Sequence, residues 1–190
     1  LLGQIAEDHR TIAVAGTHGK TTVSTMIAHL LRNSEIGCNA FLGGIAKNYN
    51  SNFVFDKDAE YLVAEADEYD QSFLSLHPEM AVVTSADADH LDIYGEKGKL
   101  LESFQEFVGQ IQTGGKLLLK KDLELTAQSN IDSFTYSLYG PADFYAEDIQ
   151  LINGFYNFSL VTPDTILNNL TLGVPGLINV ENAVAALSIA

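Results

Sequence analysis

The chain has almost no cysteine and no long hydrophobic run. Cys38 is the single cysteine in 190 residues, which excludes an internal disulfide and is typical of a reducing compartment. We expect Cys38 to be a small, buried, apolar side chain. No apolar stretch is long enough to span a bilayer and no signal peptide is recognisable. These features predict a cytoplasmic protein with no membrane partner.

Basic residues are also scarce. Ten Lys and Arg face 25 Asp and Glu, which gives a formal net charge of −15 at pH 7. Such a balance argues against a general nucleic-acid-binding protein. It also means that any site for an anion such as ATP needs local groups that outweigh the field of the whole chain.

The most informative stretch is residues 12–22, which read Ile-Ala-Val-Ala-Gly-Thr-His-Gly-Lys-Thr-Thr. The first four residues predict a buried strand and the rest a glycine-rich loop. An amphipathic helix follows, with apolar residues at helical spacing on one face: Val23, Met26, Ile27, Leu30 and Leu31. The general P-loop pattern would place glycine at position 14, where Val14 stands. The loop therefore begins at Gly16 and is shorter than that pattern.

A strand, a glycine loop and a helix in this order predict a site for a nucleotide triphosphate. The backbone N–H groups of such a loop point at phosphate oxygens, and the positive end of the helix dipole faces them. Lys20 is expected to contact the phosphates and Thr21 to bind Mg²⁺. His18 is expected to point to solvent. The alternative is a glycine-rich turn that only connects strand to helix.

Strand-like and helical patterns alternate from about residue 11 to residue 121. Residues 61–64, 80–83 and 116–120 predict buried parallel strands, and a helical pattern covers 100–111. The predicted fold class is therefore α/β, with a mostly parallel P-loop sheet flanked by helices. Beyond it, Asn153-Gly154 separates two strand patterns and predicts a hairpin. With a third strand at 165–172, this region adds an antiparallel β-meander, and a last helix begins near Asn179.

Two acidic clusters follow predicted strands, where ligands of such sheets bind. Residues 65–70 read Glu-Ala-Asp-Glu-Tyr-Asp, and we expect at least one of these carboxylates to hold Mg²⁺, which prefers oxygen ligands. The alternative is a solvated acidic loop. In the second cluster, His90 lies among Asp87, Asp89 and Asp92. From the residues alone, His90 could touch a metal, orient a carboxylate or bind a phosphate oxygen.

Four motifs in one order resemble the Mur ligases, the ATP-dependent amino-acid ligases of bacterial peptidoglycan synthesis. They span residues 16–183, nearly the whole chain: Gly16–Thr22, Glu65-Ala66-Asp67-Glu68, Asp89-His90-Leu91-Asp92 and Asn179-Val180-Glu181-Asn182-Ala183. The resemblance implies that residues 1–190 are the central ATP-binding domain of a three-domain ligase. The UDP-sugar domain and the carboxyl-terminal domain would be absent, so we expect this piece alone to be inactive.

The resemblance also implies roles for individual residues. Lys20 would contact the phosphates, Thr21 and Glu65 would bind one Mg²⁺, and His90 would bind a second; Lys20, Glu65 and His90 would form the catalytic set. The implied ATP-binding residues are Gly16, Thr17, His18, Gly19, Lys20, Thr21, Thr22, Asn179 and Asn182. Ile178 stands where the family often has His, so a nucleotide contact from that side chain is lost or replaced. Asn179 could instead be a helix N-cap.

Within the family, residues 89–95 and Phe41-Leu42-Gly43-Gly44 most resemble the members that join L-alanine to UDP-N-acetylmuramate. Glu68-Tyr69-Asp70 also resembles the members that recycle murein tripeptide, the first alternative. A P-loop nucleotide switch or kinase-like protein and a non-catalytic binding module are the others. The implied reaction phosphorylates a lactyl carboxylate with ATP and Mg²⁺ and then forms an amide.

Overall fold

The computed structural model describes residues 2–68, 72–87 and 97–190. Within these ranges the strands form one ten-stranded sheet in the order β10-β9-β8-β7-β6-β5-β1-β4-β2-β3. The strands are β1 (Arg10–Ala15), β2 (Asn39–Ala46), β3 (Ser51–Val54), β4 (Tyr61–Glu65), β5 (Met80–Val83), β6 (Lys116–Lys120), β7 (Asp132–Ser137), β8 (Phe144–Ile152), β9 (Phe155–Val161) and β10 (Ile166–Leu172). The helices are α1 (Leu2–Glu7), α2 (Lys20–Arg32), α3 (Lys97–Gly109) and α4 (Ile178–Ile189), with a 3₁₀ turn at Ser72–Ser75.

Strand β1 lies inside the parallel part of the sheet, between β4 and β5. Its side chains alternate between two buried clusters, because successive residues of a strand point to opposite faces. Ile12 and Val14 pack into one cluster with α2 and α4. Ala13 and Ala15 pack into the other, with residues of α1, α3 and the 3₁₀ turn. The carboxyl end of β1 thus lies between the two buried clusters, and the glycine loop starts directly after it, at Gly16.

An antiparallel meander forms one edge of the sheet, and β2 and β3 pair antiparallel at the other edge. β8 pairs with β9 and β9 with β10, all antiparallel. Asn153 and Gly154 have φ angles of 51° and 86°, as the two-residue hairpin turn between β8 and β9 requires. On β9, Phe158 and Leu160 are buried, whereas most of β10 is exposed.

The mixed α/β fold predicted from the sequence is confirmed, including the parallel core and the meander. The structure adds three strands that the apolar pattern did not indicate: β2, β3 and β7. β2 and β7 pair in parallel with β4 and β6 respectively. Glycines interrupt β2, and only Tyr136 of β7 is fully buried, so neither has the continuous apolar run that marks a parallel strand. Helix α3 also ends at Gly109, so Ile111 packs into the core from the segment beyond it.

Among the described helices, none combines the length and the apolar character needed to cross a bilayer.

Candidate functional site

The glycine loop lies between the carboxyl end of β1 and the first turn of α2. Gly16 has φ +133°, and a Cβ atom built there would lie 2.2 Å from Thr84 Oγ1. Gly19, the N-cap of α2, has φ +83°. Both positions need glycine, the first for space as well as for backbone conformation. Because Gly19 has no side chain to cap α2, the first-turn N–H groups of that helix are available to a ligand.

The segment after β5 supports the loop from one side. Ser85 Oγ accepts a hydrogen bond from the His18 amide at 2.8 Å and lies 2.9 Å from Thr17 Oγ1. The Thr17 amide donates to the Ser85 carbonyl at 3.2 Å. The neighbouring Thr84 hydroxyl donates to the carbonyl oxygens of Ala15 and His18. These bonds join two strand ends that are about 70 residues apart in sequence, so the loop shape is held by tertiary contacts.

Lys20 points back over the loop toward the segment after β4. Its Nζ donates to the Gly16 carbonyl at 2.8 Å and to both carboxylate oxygens of Glu68, at 3.0 Å and 2.7 Å. The side chain of Glu68 is 1% exposed and that of Lys20 is 12% exposed. Asp67 is farther away, at 3.9 Å, and 60% of its side chain is exposed. The loop lysine is therefore held by a buried carboxylate.

Thr21 and Glu65 meet beside the lysine. Thr21 Oγ1 donates to Glu65 Oε1 at 3.0 Å, and the Gly43 amide of β2 donates to Glu65 Oε2 at 2.8 Å. A cavity of about 250 Å³ opens here. Its lining consists of loop and first-turn residues together with the β4 carboxylate: Thr17, Gly19, Lys20, Thr21, Thr22 and Glu65.

The amino-terminal end of α4 reaches the same loop. A Cβ atom on Gly19 would lie 3.0 Å from Asn182 Oδ1, so this buried amide lies against the N-cap of α2. Asn182 Nδ2 donates to Asn179 Oδ1 at 3.1 Å. Asn179 Nδ2 donates to the Pro175 carbonyl at 2.6 Å. Asn179 is thus not the N-cap of its helix, which begins at Ile178 after Leu177 and has no side-chain cap.

A partly buried ion pair fixes the start of α4 to the sheet. Glu181 Oε2 accepts from Lys120 Nζ of β6 at 2.9 Å, and Glu181 Oε1 accepts from the Leu138 amide at 3.3 Å. Tyr136 is 1% exposed; burial and the nearby Glu181 charge raise the pKa of its phenol. These contacts place Asn182 beside the glycine loop.

The structure brings together most of the residues expected at the site. The loop residues, Glu65 and Asn182 converge at one edge of the sheet, and Asn179 contacts Asn182. His18 is exposed, as expected, although its backbone takes part in the loop contacts. His90 lies outside the described residues, as do Tyr69, Asp70, Asp89 and Asp92.

Four contributing residues were not singled out for these roles from the sequence: Glu68, Gly43, Thr84 and Ser85. Glu68 and Gly43 lie within motifs that carried the family resemblance, but nothing in the sequence indicated their contacts. Thr84 and Ser85 follow a predicted strand, which is the one sequence signal that could have found them.

The donor set around Thr21 and Glu65 fits a hard divalent cation. Both side chains offer oxygen, which Mg²⁺ prefers, and Mg²⁺ keeps several waters and phosphate oxygens in its coordination shell. The described part of the chain contains no group of three or more His, Cys, Asp and Glu residues that could hold a metal by itself. A divalent ion held by the oxygens of Thr21 and Glu65 would complete its coordination shell with water and phosphate oxygens.

A glycine loop between a parallel strand and a helix, with a lysine and a threonine–carboxylate pair beside it, defines a P-loop phosphate-binding α/β protein. A family profile described as the Mur ligase middle domain matches residues 14–190. The chain belongs to the Mur ligase family.

The amino-acid sequence is also similar to those of individual ligases. The UDP-N-acetylmuramate–L-alanine ligase of Parabacteroides distasonis is 50% identical over 192 residues, which cover this whole chain and 42% of the relative. The chain thus spans about two fifths of the length of the curated relatives that it matches.

Two solved structures share the fold. The UDP-N-acetylmuramate:L-alanyl-γ-D-glutamyl-meso-diaminopimelate ligase of Neisseria meningitidis has a TM-score of 0.83 at 21% identity, over 98% of this chain and 63% of that one. The MurF ligase of Thermotoga maritima, solved in complex with ADP, has a TM-score of 0.75 at 18% identity, over 99% and 48% of the two chains.

Proposed function

We propose that this chain is the central ATP-binding domain of a ligase that joins L-alanine to the lactyl carboxylate of UDP-N-acetylmuramate. The observation that carries the proposal is the convergence of Lys20, Thr21 and Glu65 on one cavity beside the glycine loop. The 50% identical relative supports the choice of substrates. The proposal assigns residues 1–190 to one domain of a longer protein that also has a UDP-sugar domain and a carboxyl-terminal domain.

Each side chain in the cavity has a proposed role. The loop amides and Lys20 would hold the phosphates of ATP. Thr21 and Glu65 would hold one Mg²⁺, which neutralises phosphate charge when bound. Asn182, which lies against Gly19, and Asn179, which bonds to Asn182, would contact the nucleoside side of ATP. His90 is proposed as a ligand of a second Mg²⁺ on the family resemblance alone.

The chemistry follows from the low reactivity of a carboxylate toward an amine. ATP transfers its γ-phosphoryl group to the lactyl carboxylate, which gives an acyl phosphate and ADP. The amine of L-alanine then attacks the acyl carbon, an amide bond forms and inorganic phosphate leaves. Transfer between two anions depends mainly on positioning and charge neutralisation. Lys20 supplies one positive charge there, and His90 and Asp67 are the candidate bases for the amine.

The test is a substrate panel with the full-length protein. Phosphate release would be measured with ATP, UDP-N-acetylmuramate and, in turn, L-alanine, other amino acids or murein tripeptide. We expect release with L-alanine only. Release with tripeptide would favour the recycling ligase, which has the same fold at a TM-score of 0.83. Release without any sugar nucleotide would indicate a P-loop switch or kinase-like protein instead.

A second test addresses the metal role. Glu65→Gln removes the carboxylate charge and retains one oxygen, so the Mg²⁺ concentration needed for activity should rise. An unchanged Mg²⁺ titration would remove Glu65 from the proposed ligand set.

We propose a cytoplasmic location because ATP and UDP-sugars are cytoplasmic substrates, and we expect no nucleic-acid or membrane partner. The 190-residue piece by itself should fold without ligating L-alanine.

A further inference from the structure

We propose that Gly43 is a positioning residue for Glu65, which it orients toward Thr21 by a hydrogen bond and by the lack of a side chain. This inference rests on the proposed role of Glu65 as a metal ligand. The Gly43 amide donates to Glu65 Oε2 at 2.8 Å, and Thr21 Oγ1 donates to Glu65 Oε1 at 3.0 Å. Both carboxylate oxygens are therefore held, one from β2 and one from α2.

The irregular part of β2 makes the amide available. β2 pairs in parallel with β4 only from Asn39 to Phe41. Its antiparallel pairing with β3 shifts register between Phe41 and Ala46. Gly43 lies within this shift, where the regular ladder is interrupted. Its N–H can therefore turn to the side chain of Glu65, the last residue of β4.

Space decides the residue type at this position. A Cβ atom on Gly43 would lie 2.3 Å from Glu65 Oε2 and 2.4 Å from both Oε1 and Cδ. Gly43 is not among the glycines with positive φ, so its backbone conformation does not require glycine. Glycine is needed here only to keep the Glu65 carboxylate against the backbone of β2, because the flexible end of Glu65 could otherwise move aside.

The neighbouring glycine provides a matched control. A Cβ atom on Gly44 would lie 3.5 Å from Thr21 Cγ2, an ordinary van der Waals contact. Gly44 also lacks a positive φ. Gly43→Ala and Gly44→Ala thus add the same methyl group to the same strand, but only the first collides with Glu65.

The consequence concerns metal affinity. Gly43→Ala must push the carboxylate away from β2, which breaks the amide bond and moves Oε1 relative to Thr21. Changes to residues that orient a metal ligand reduce metal affinity by about 10-fold to 100-fold. Gly43→Ala should therefore weaken metal binding although Gly43 itself offers no ligand atom.

The experiment measures Mn²⁺ binding to the full-length protein with ADP, by the electron paramagnetic resonance signal of the free ion, against a control of Mn²⁺ and ADP without protein. We expect Gly43→Ala to weaken Mn²⁺ binding by about 10-fold or more and Gly44→Ala to leave it within about twofold. Glu65→Asp, made in the Gly43→Ala background, shortens the side chain and should recover part of the loss.

The outcomes separate this inference from the proposed function. If Glu65→Gln weakens Mn²⁺ binding but Gly43→Ala does not, the positioning role is overturned and the proposed metal role of Glu65 stands. If Glu65→Gln has no effect, the metal role itself fails. Circular dichroism checks that each variant is folded.

Amide hydrogen exchange provides a measurement that needs no change at Gly43. In the unaltered chain the Gly43 N–H should exchange about tenfold more slowly than in Glu65→Ala, because a hydrogen-bonded amide exchanges only when its bond opens. Equal exchange rates in the two proteins would overturn the inference, even if Gly43→Ala failed to fold.

Discussion

Lys20, at the start of α2, and Glu68, in the segment after β4, form a buried ion pair beside the loop that would receive phosphate. The Nζ atom lies 2.7 Å from Oε2 and 3.0 Å from Oε1, and the Glu68 side chain is 1% exposed. The Glu68 carboxylate accepts the Lys20 hydrogen bonds that a phosphate oxygen would otherwise accept. A nucleotide phosphate that binds here therefore either competes with Glu68 for Lys20 or shares Lys20 with it.

Glu68→Gln should tighten ATP binding, because the change removes a buried negative charge close to the phosphate site. We expect the Kd to fall by about tenfold, equivalent to roughly 1.4 kcal/mol. Without nucleotide the variant should melt at a lower temperature than the unaltered chain, because breaking a buried ion pair is destabilising. Calorimetric titration with ATP and thermal melts with and without ATP check both effects.

Asp67→Asn is the matched control for that change. It also removes one negative charge, but Asp67 is 60% exposed and lies 3.9 Å from the lysine, so solvent screens its effect. Its ATP affinity should stay within about twofold of the unaltered chain, a difference of roughly 0.4 kcal/mol. Weaker ATP binding by Glu68→Gln would instead mean that Glu68 assists Lys20.

Lys20→Ala should abolish ATP turnover in the full-length ligase. The change removes the one side-chain cation that the described structure places in the 250 Å³ cavity, and it leaves Glu68 buried without its partner. Phosphate release with all substrates present is the measurement. Near-normal turnover would contradict the role of the glycine loop.

Glu181→Ala should destabilise the fold by about 1 kcal/mol, since it removes the acceptor of the Leu138 amide and of the Lys120 amino group, although the 35% exposed Lys120 side chain can turn to water. Urea denaturation measures the change. Glu106→Ala, at an exposed position on α3, is the control and should alter stability by less than about 0.5 kcal/mol. Equal effects of the two substitutions would show that the pair between β6 and α4 is not stabilising.

Cys38 should resist thiol reagents in the folded protein. Its side chain is fully buried, and burial raises the pKa of the thiol to about 11, whereas the thiolate is the reactive form. The pKa of the Cys38 thiol is higher in the folded than in the unfolded protein. The free energy of unfolding should therefore keep its full value below about pH 9. It should fall as the pH rises toward 11, because the unfolded chain then favours the thiolate. Alkylation by iodoacetamide, with and without denaturant, checks the protection.

The pH dependence provides a separate check on Cys38. Stability measured from pH 8 to pH 11 should fall less in Cys38→Ala than in the unaltered chain. If the two curves remain parallel over this range, the titration of Cys38 does not contribute.

Local patterns predicted the elements that have strong local signals. The loop at 16–22, the strands β5 and β6, and the hairpin at Asn153-Gly154 follow from apolar runs and turn residues that lie next to each other in the chain. The pattern missed β2 and β7, because glycines interrupt the first and only one fully buried side chain marks the second.

The amino-acid sequence by itself determined that a P-loop joins a buried strand to a helix, and its motifs were sufficient to predict the family. Only the tertiary structure decided that Lys20 pairs with Glu68, that Glu65 rests on the Gly43 amide and that Asn182 lies against Gly19. The physical reason is that hydrophobic periodicity reports which face of an element is buried. Which side chains meet at a sheet edge depends on the order of strands that are tens of residues apart in the chain.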